Sequence, residues 1–287
     1  MEIDREVKKS PKLFLVLSKF WFNLKFLIIL HNRNFLSYFK ITADPLREPI
    51  YENSVHWLGH ATAIINLYGK IIVTDPVVGS LGYFKRLVKP SLDLSKIKID
   101  YILLSHGHMD HMDFASLYKL NKDCYIIAPK GYRRILKALG FKNIIILNDH
   151  EEYKDEHVHI SALTANHDGR RYYLGKNYHS NSYIIESKDK KIFFAGDTAY
   201  TEEFKDIACN LCLMPVGCYK PQSFEKMHCT PEQSFKMFKM MKSYRMVPIH
   251  YKTFILSHEN SDETLSILKK INDGSIEIID IGQTIGL

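Results

Sequence analysis

The chain lacks the features that mark several whole classes of protein. Its five cysteines, an odd number at irregular intervals in 287 residues, supply no disulfide framework, and the chain is read as made in a reducing compartment. The one suggestive pair, Cys209-x-x-Cys212, lies inside the apolar run Ile207–Val216. A structural zinc needs two further ligands close by, so two half-buried core thiols are favoured over a zinc or redox motif. No internal repeat or low-complexity tract is visible, so the architecture is not a repeat array. Nor is there an unbroken apolar span: the stretch Leu13–Leu30 is interrupted by Ser18, Lys19, Asn23 and Lys25, and two lysines near a bilayer centre are costly. A secretory signal would carry its charges before the apolar core and small residues after it, whereas His31-Asn32-Arg33-Asn34 follows here.

Acidic residues are missing from Lys8 to Lys40, a segment that holds seven Lys or Arg. On a helical wheel the four polar interruptions fall within about half the circumference. Two readings stand for residues 1–45: a basic, aromatic-rich helix lying in a membrane interface, or a helix packed on the domain or on a second subunit. Ala43–Glu52, with Pro45 and Pro49, reads as the linker into a main domain over residues 46–287. A composition of 46% hydrophobic and 25% charged residues suits a globular domain with a sizeable core. The net charge of +7 suits an anionic substrate or surface, and a solvated basic face equally. The expected location is cytoplasmic, either free or peripheral on the inner face of a membrane.

Strand signals dominate from residue 54: Ser54–Leu58, Ala61–Leu67, Lys70–Thr74, Tyr101–Leu104, Cys124–Ala128, Asn143–Leu147, His157–Thr164, Ser182–Ile185 and Lys191–Ala195. Helices are expected at Phe114–Leu120 and Tyr132–Leu139. The last third alternates helix and strand through Thr201–Ile207, Leu211–Pro215, Pro231–Lys242, Met246–Ile249, Asp262–Ile271 and Ile276–Ile279. Strands with interspersed helices imply an α/β layered domain with functional residues on the loops at strand ends.

The most informative stretch is His106-Gly107-His108-Met109-Asp110-His111, three imidazoles and a carboxylate directly after a strand. His and Asp are ligand types that zinc, iron and manganese share. Other polar residues follow strands in the same way: His167, Asp197 in Ala195-Gly196-Asp197-Thr198, and His250. Asp75 follows Lys70–Thr74, either as an acceptor that fixes a ligand imidazole or as a turn residue before Pro76. His60 follows Gly59, near the metals or bonded to its own turn. His228 precedes a helix start at Thr230-Pro231, and Tyr219 lies in a loop that lines the mouth or is simply exposed. Arg170 and Arg171 meet phosphate or solvent.

The motif H-x-H-x-D-H with downstream His167, Asp197 and His250 resembles the metallo-β-lactamase superfamily. That resemblance implies a four-layer αββα sandwich with a two-metal site at one edge. His106, His108 and His167 would hold the first ion; Asp110, His111 and His250 the second; Asp197 would bridge. Zinc is the expected metal, with iron or manganese as alternatives. Trp57-Leu58-Gly59-His60-Ala61-Thr62, Thr74-Asp75-Pro76, Met214-Pro215-Val216-Gly217, His228-Cys229-Thr230-Pro231-Glu232 and Ile249-His250-Tyr251-Lys252-Thr253-Phe254 look like the N-acyl-phosphatidylethanolamine phospholipase D branch. Tyr251-Lys252 departs from the Trp-Gly usual there. The resemblance implies a phosphodiester hydrolase in which Asp110 and His228 act on the reaction, and His60, Asp75 and Tyr219 support the substrate or the ligands. The alternative is a soluble hydrolase of a small lactone or phosphodiester. Expected partners are a phospholipid or small-molecule substrate, a membrane surface through residues 8–40, or a second copy. No nucleic acid is expected: no added clamp is visible, and the basic balance is weak beside what phosphate tracking needs.

Overall fold

The computed structural model describes residues 11–171 and 179–287, so residues 8–10 of the basic segment lie outside the described residues. Strands β1 (Ser54–Gly59), β2 (Thr62–Leu67), β3 (Lys70–Thr74), β4 (Tyr101–Leu103), β5 (Tyr125–Ala128) and β6 (Asn143–Ile146) join the C-terminal β13 (Thr284–Gly286) in a seven-stranded sheet, ordered β13-β1-β2-β3-β4-β5-β6. A six-stranded sheet holds β7 (Glu152–Lys154), β8 (His159–Asp168), β9 (His179–Ser187), β10 (Lys190–Phe194), β11 (Leu211–Pro215) and β12 (Met246–Ile249), ordered β12-β11-β10-β9-β8-β7. Pairing is parallel from β3 to β6 and from β10 to β12.

Side chains alternate across a pleated strand, and here both sides are buried. On β4, Tyr101 and Leu103 enter the core shared with the second sheet, while Ile102 packs with Leu117 of α2 (Phe114–Lys119) and Leu136 of α3 (Arg133–Ala138). On β5, Ile127 faces the first core and Ile126 the second. Burial on two faces is why these strands read as continuous apolar runs rather than alternating ones. Met237 and Phe238 of α4 (Pro231–Met240) and Leu268 of α5 (Ser261–Ile271) join the inter-sheet core. The layers run helix, sheet, sheet, helix. The Thr230 hydroxyl and Gln233 side chain close a reciprocal cap at the start of α4.

Two expected elements differ. Thr201–Ile207 forms turns, not a helix. Phe204 is fully buried against Phe193 with ring centroids 4.8 Å apart, and Asp206 turns left-handed at φ 64, so tertiary anchoring overrides local helix propensity. Ile276–Ile279 meets β12 through a single bridge, Met246 to Ile276, and continues as coil. The segment after residue 42 is tied to the body: Ala43, Leu46 and Glu48 donate backbone bonds to Leu87, Ile281 and Gly282.

Helix α1 (Pro11–Ser37) docks through its second half. Arg33 donates to the carbonyls of Ser257 at 2.5 Å and Glu259 at 2.8 Å. Buried Asn34 donates to Ile255 O at 2.9 Å, and Phe26 stacks on His258 with centroids 4.6 Å apart. Lys85 donates to the carbonyls of Ser37 and Lys40, and Tyr83 to that of His31. No described helix is long and apolar enough to cross a membrane.

Candidate metal centre

The parallel strands aim their C-terminal ends at one edge of the sandwich, where ligands bind in α/β sheets. β3 delivers Asp75 and β4 delivers Ser105 and the His106–His111 loop. β10 leads to Asp197, β11 to the loop before His228, and β12 to His250. His167 sits near the end of β8, within a register shift between Ala165 and Asp168. Three of these residues hold left-handed backbone: His60 at φ 53, Asp75 at φ 35 and His250 at φ 66. Such conformations cost roughly 1 kcal/mol or more each and persist where the surroundings impose them.

Asp75 is fully buried and accepts from Ser105 N at 2.7 Å, the Ser105 hydroxyl at 2.6 Å and His111 Nδ1 at 2.7 Å. That last bond fixes the ring: with Nδ1 donating to Asp75, Nε2 is the atom turned to the centre, and its lone pair would be offered to a bound cation once its proton leaves. The His60 imidazole turns to the cluster rather than to its own turn. The His60 carbonyl accepts from Trp57 Nε1 at 2.9 Å and from His250 N at 3.0 Å, while the ring Nε2 lies 3.0 Å from Asp110 Oδ2.

Six of the expected ligands, joined by His60, converge in two neighbouring groups. Ligating atoms of His106, His108 and His167 lie within 4.8 Å of one another, as do those of His60, Asp110, His111 and His250. Asp197 stands between them: Oδ2 is 3.1 Å from His111 Nε2 and 4.0 Å from His106 Nε2, and Oδ1 is 3.0 Å from His250 Nε2. His228 joins at the rim, its Nδ1 3.6 Å from Asp197 Oδ2 and lacking a hydrogen-bond partner. His167 is aimed by its Nδ1 contact to Met227 O at 2.7 Å.

This donor set fits bound cations. His111 Nε2 and His250 Nε2 face each other at 3.1 Å. His106 Nε2 is buried with no hydrogen-bond partner, and Asp197 Oδ1 makes no hydrogen bond despite its nearness to His250. Buried polar atoms left in this way call for an ion or a water. The electrostatics agree. Burial opposes charge on His111 and His250, yet Asp197 and its neighbouring carboxylates lift both imidazoles well above the ordinary histidine value. Burial likewise opposes charge on Asp110 and Asp197, and the facing imidazoles, His111 foremost, hold both well below the usual carboxylate range. The centre of the cluster favours positive charge.

A cleft of about 220 Å³ opens onto this cluster, with His108, Asp110, Asp197 and His228 as its polar floor and Met109, Phe224 and Leu256 as walls. A second cavity of about 270 Å³ shares Cys218 and Leu256 with it and reaches Arg33, Lys40, His60 and His250. Tyr219 lies elsewhere: it is buried with its hydroxyl 3.3 Å from Thr264 Oγ1 on α5, and it lines a separate cavity. Arg170 pairs with Asp168 at 2.5 Å. Arg171 braces the His-rich loop by donating to Gly107 O and Met112 O. Lys252 sits at φ 63, a conformation natural to the glycine usual there, and its ammonium turns to Asp280 at 2.9 Å.

Three supporting residues escaped the sequence reading. Ser105 binds Asp75 and carried a weak signal, a small polar residue closing an apolar strand. Glu259 accepts from Cys218 N at 2.6 Å and Lys220 N at 3.1 Å, bracing the loop after β11 from forty residues away, with no local signal at all. Buried Arg86 donates to the carbonyls of Leu58, Val77 and Val88, joining the turns that carry His60 and Asp75.

A family model described as the β-lactamase superfamily domain matches residues 70–251. The chain belongs to that superfamily. N-acyl-phosphatidylethanolamine-hydrolyzing phospholipase D 1 of Caenorhabditis elegans is 26% identical over 262 residues, spanning 79% of this chain and 74% of its own length. The mitochondrial N-acyl-phosphatidylethanolamine-hydrolyzing phospholipase D of Saccharomyces cerevisiae is 31% identical over 233 residues, 74% of this chain, and the match spans 49% of that relative. Other relatives are named metal-dependent hydrolases. Among solved structures, Igni18, a metallo hydrolase of Ignicoccus hospitalis, matches with a TM-score of 0.61 at 20% identity, covering 81% of this chain and 97% of that one. At that identity the likeness shows the fold. The protein is a metal-dependent hydrolase of the metallo-β-lactamase superfamily.

Proposed function

We propose that this hydrolase cleaves a phosphodiester on the headgroup side of an N-acyl-phosphatidylethanolamine-type phospholipid, a reaction of the phospholipase D type. The observation that carries the reading is the apposition in one cleft of the Asp110–Asp197 cluster, the unpartnered His228 Nδ1 and the apolar walls Met109, Phe224 and Leu256. The names of the worm and yeast relatives support the same substrate class. His106, His108 and His167 would hold one divalent ion and Asp110, His111 and His250 another, with Asp197 between; zinc suits the set, and iron or manganese would also fit. When bound, such a pair supplies an activated water and stabilises added negative charge.

The chain's own groups do the rest. His60 holds Asp110 Oδ2 toward the centre, where it orients the attacking water and accepts its proton. His228 Nδ1 is placed to donate to a phosphoryl oxygen. The apolar walls exclude bulk water and seat the glyceryl side of the substrate.

The cleft volume of about 220 Å³ favours a second reading, hydrolysis of a small lactone or phosphodiester. Zinc-loaded protein is given N-acyl-phosphatidylethanolamine, a short-chain soluble analogue and a lactone panel, with products read by mass spectrometry. Phosphatidic acid and N-acylethanolamine are expected. Turnover of lactones alone moves the assignment to the second reading. His228→Ala should lower kcat about 100-fold or more with metal content retained, whereas Asp197→Ala should lose both.

A further inference from the structure

The inward face of α1 is spoken for, but its outward face is not polar. Phe26, Arg33, Asn34 and Ser37 turn to the body, as the contacts above describe, and Leu30 is buried with them. On the opposite side Trp21, Ile28 and Phe35 recur at helical spacing and are exposed by 64%, 51% and 51%; just past the helix end, Phe39 is 75% and Ile41 96% exposed. Large apolar side chains exposed together on one side of a helix whose other side is already packed mark a contact surface.

Charge says which contact. Lys25 lies on the same stripe, and from residue 8 to residue 40 there is no acidic side chain. In a two-fold dimer the same face meets itself, which would bring Lys25 near its own copy with no carboxylate on the segment to pair with it. An anionic lipid surface offers the complement: aromatic and aliphatic side chains enter the headgroup boundary while Lys25 meets lipid phosphates. Arg33 on the inner face and Lys40 just past the helix line the cavity that reaches His60 and His250, so the helix lies beside the approach to the cluster.

We propose that the outward face of α1, built on Ile28, Phe35 and Lys25 and extended by Phe39 in the turn that follows, docks the protein on an anionic lipid surface. Docking does not depend on the substrate; only the meaning of its position beside the cleft rests on the phosphodiester reading. Deleting residues 1–40 is a poor test, because Arg33 and Asn34 hold the 255–259 loop. Instead, full-length metal-loaded protein is sedimented with vesicles of phosphatidylglycerol and phosphatidylcholine, and with phosphatidylcholine alone. Wild type should bind the anionic vesicles. Ile28→Ser with Phe35→Ser and Phe39→Ser should lower affinity by about tenfold or more, with the melting temperature and turnover of a soluble phosphodiester unchanged. Lys25→Glu should weaken binding to the anionic vesicles only. Wild-type affinity in the triple variant overturns the proposal. So does a stable wild-type dimer that ignores vesicles and is split by the same substitutions. Should the triple variant melt early, Lys25→Glu decides: unchanged binding to anionic vesicles overturns the proposal.

Discussion

Asp75 shows how much of the centre depends on one carboxylate that never faces the cleft. It satisfies three donors at once, Ser105 N, the Ser105 hydroxyl and His111 Nδ1. Asp75→Ala would leave Ser105 N and His111 Nδ1 buried without this acceptor, each at about 1–3 kcal/mol, while the Ser105 hydroxyl keeps His106 Nδ1 at 2.9 Å. It would also free the His111 ring to flip or change tautomer, and loss of such an orienting partner costs about 10–100-fold in metal affinity. Competition against a chelator should show that loss, and thermal melting the destabilisation; wild-type metal affinity in the variant would remove Asp75 from the support of the centre. At this scale the sequence was informative wherever a polar residue followed an apolar run, which is how His106, Asp197, His250 and Asp75 stand out. It was silent where support comes from afar. Nothing near Cys218 announces that Glu259 holds its amide. Nothing in Met214-Pro215-Val216-Gly217 announces that a Cβ on Gly217 would sit 2.0 Å from the His250 carbonyl oxygen.

Among the elements, α1 is the one whose role the sequence divided between two readings. The structure gives it two faces. Its inner face grips the 255–259 loop, and that loop contributes Leu256 to the cleft wall and Glu259 to the brace on Cys218 and Lys220. Arg33→Ala with Asn34→Ala removes bonds to three loop carbonyls, Ser257, Glu259 and Ile255. The expected cost is about 2–4 kcal/mol, and KM should rise several-fold with kcat little changed, since the loop shapes the wall rather than the polar floor. Arg33→Lys should recover part of the KM. Equal losses in kcat and KM, or none, would mean that the helix does not shape the cleft. The polar residues of the helix were the legible clue to its inner face: Arg33, Asn34 and Ser37 interrupt an apolar pattern because each has a backbone partner. Where two isolated elements were misread, at Thr201–Ile207 and Ile276–Ile279, the deciding contacts come from Phe193 and Met246, distant in sequence.

For the whole molecule, the double-sided burial of β4 and β5 was visible as unbroken apolar runs, but their division between two sheets was not. The edge strand β13 pairs with β1 across about 230 positions, and no local pattern in Thr284–Gly286 predicts it. The assembled charges do set a global property, the response of chelator-treated protein to pH. Burial pushes His60 and His228 down to about 3, and His56 and His167 down to about 4; it also lowers His106 and His108. These six stay neutral in the fold and charge on unfolding, so they stabilise it above the ordinary value of 6.5 and cost it stability as pH falls below. His111 and His250, raised by Asp197 and its neighbours against burial, do the reverse: their contribution is full below 6.5 and is lost as pH climbs through their raised values. Asp110 and Asp197, lowered by facing imidazoles, contribute above 3.8 and fail as pH drops below it. Six imidazoles oppose two, so metal-free stability should peak at about neutral pH and fall more steeply toward acid. Zinc must displace the protons on His111 and His250, so the gain in melting temperature on adding it should widen from about pH 6 to about pH 8 as fewer protons compete. Melting curves of chelated and zinc-loaded protein across that range measure both effects. A zinc-induced gain that stays constant with pH would mean that those two imidazoles carry no proton for the metal to replace.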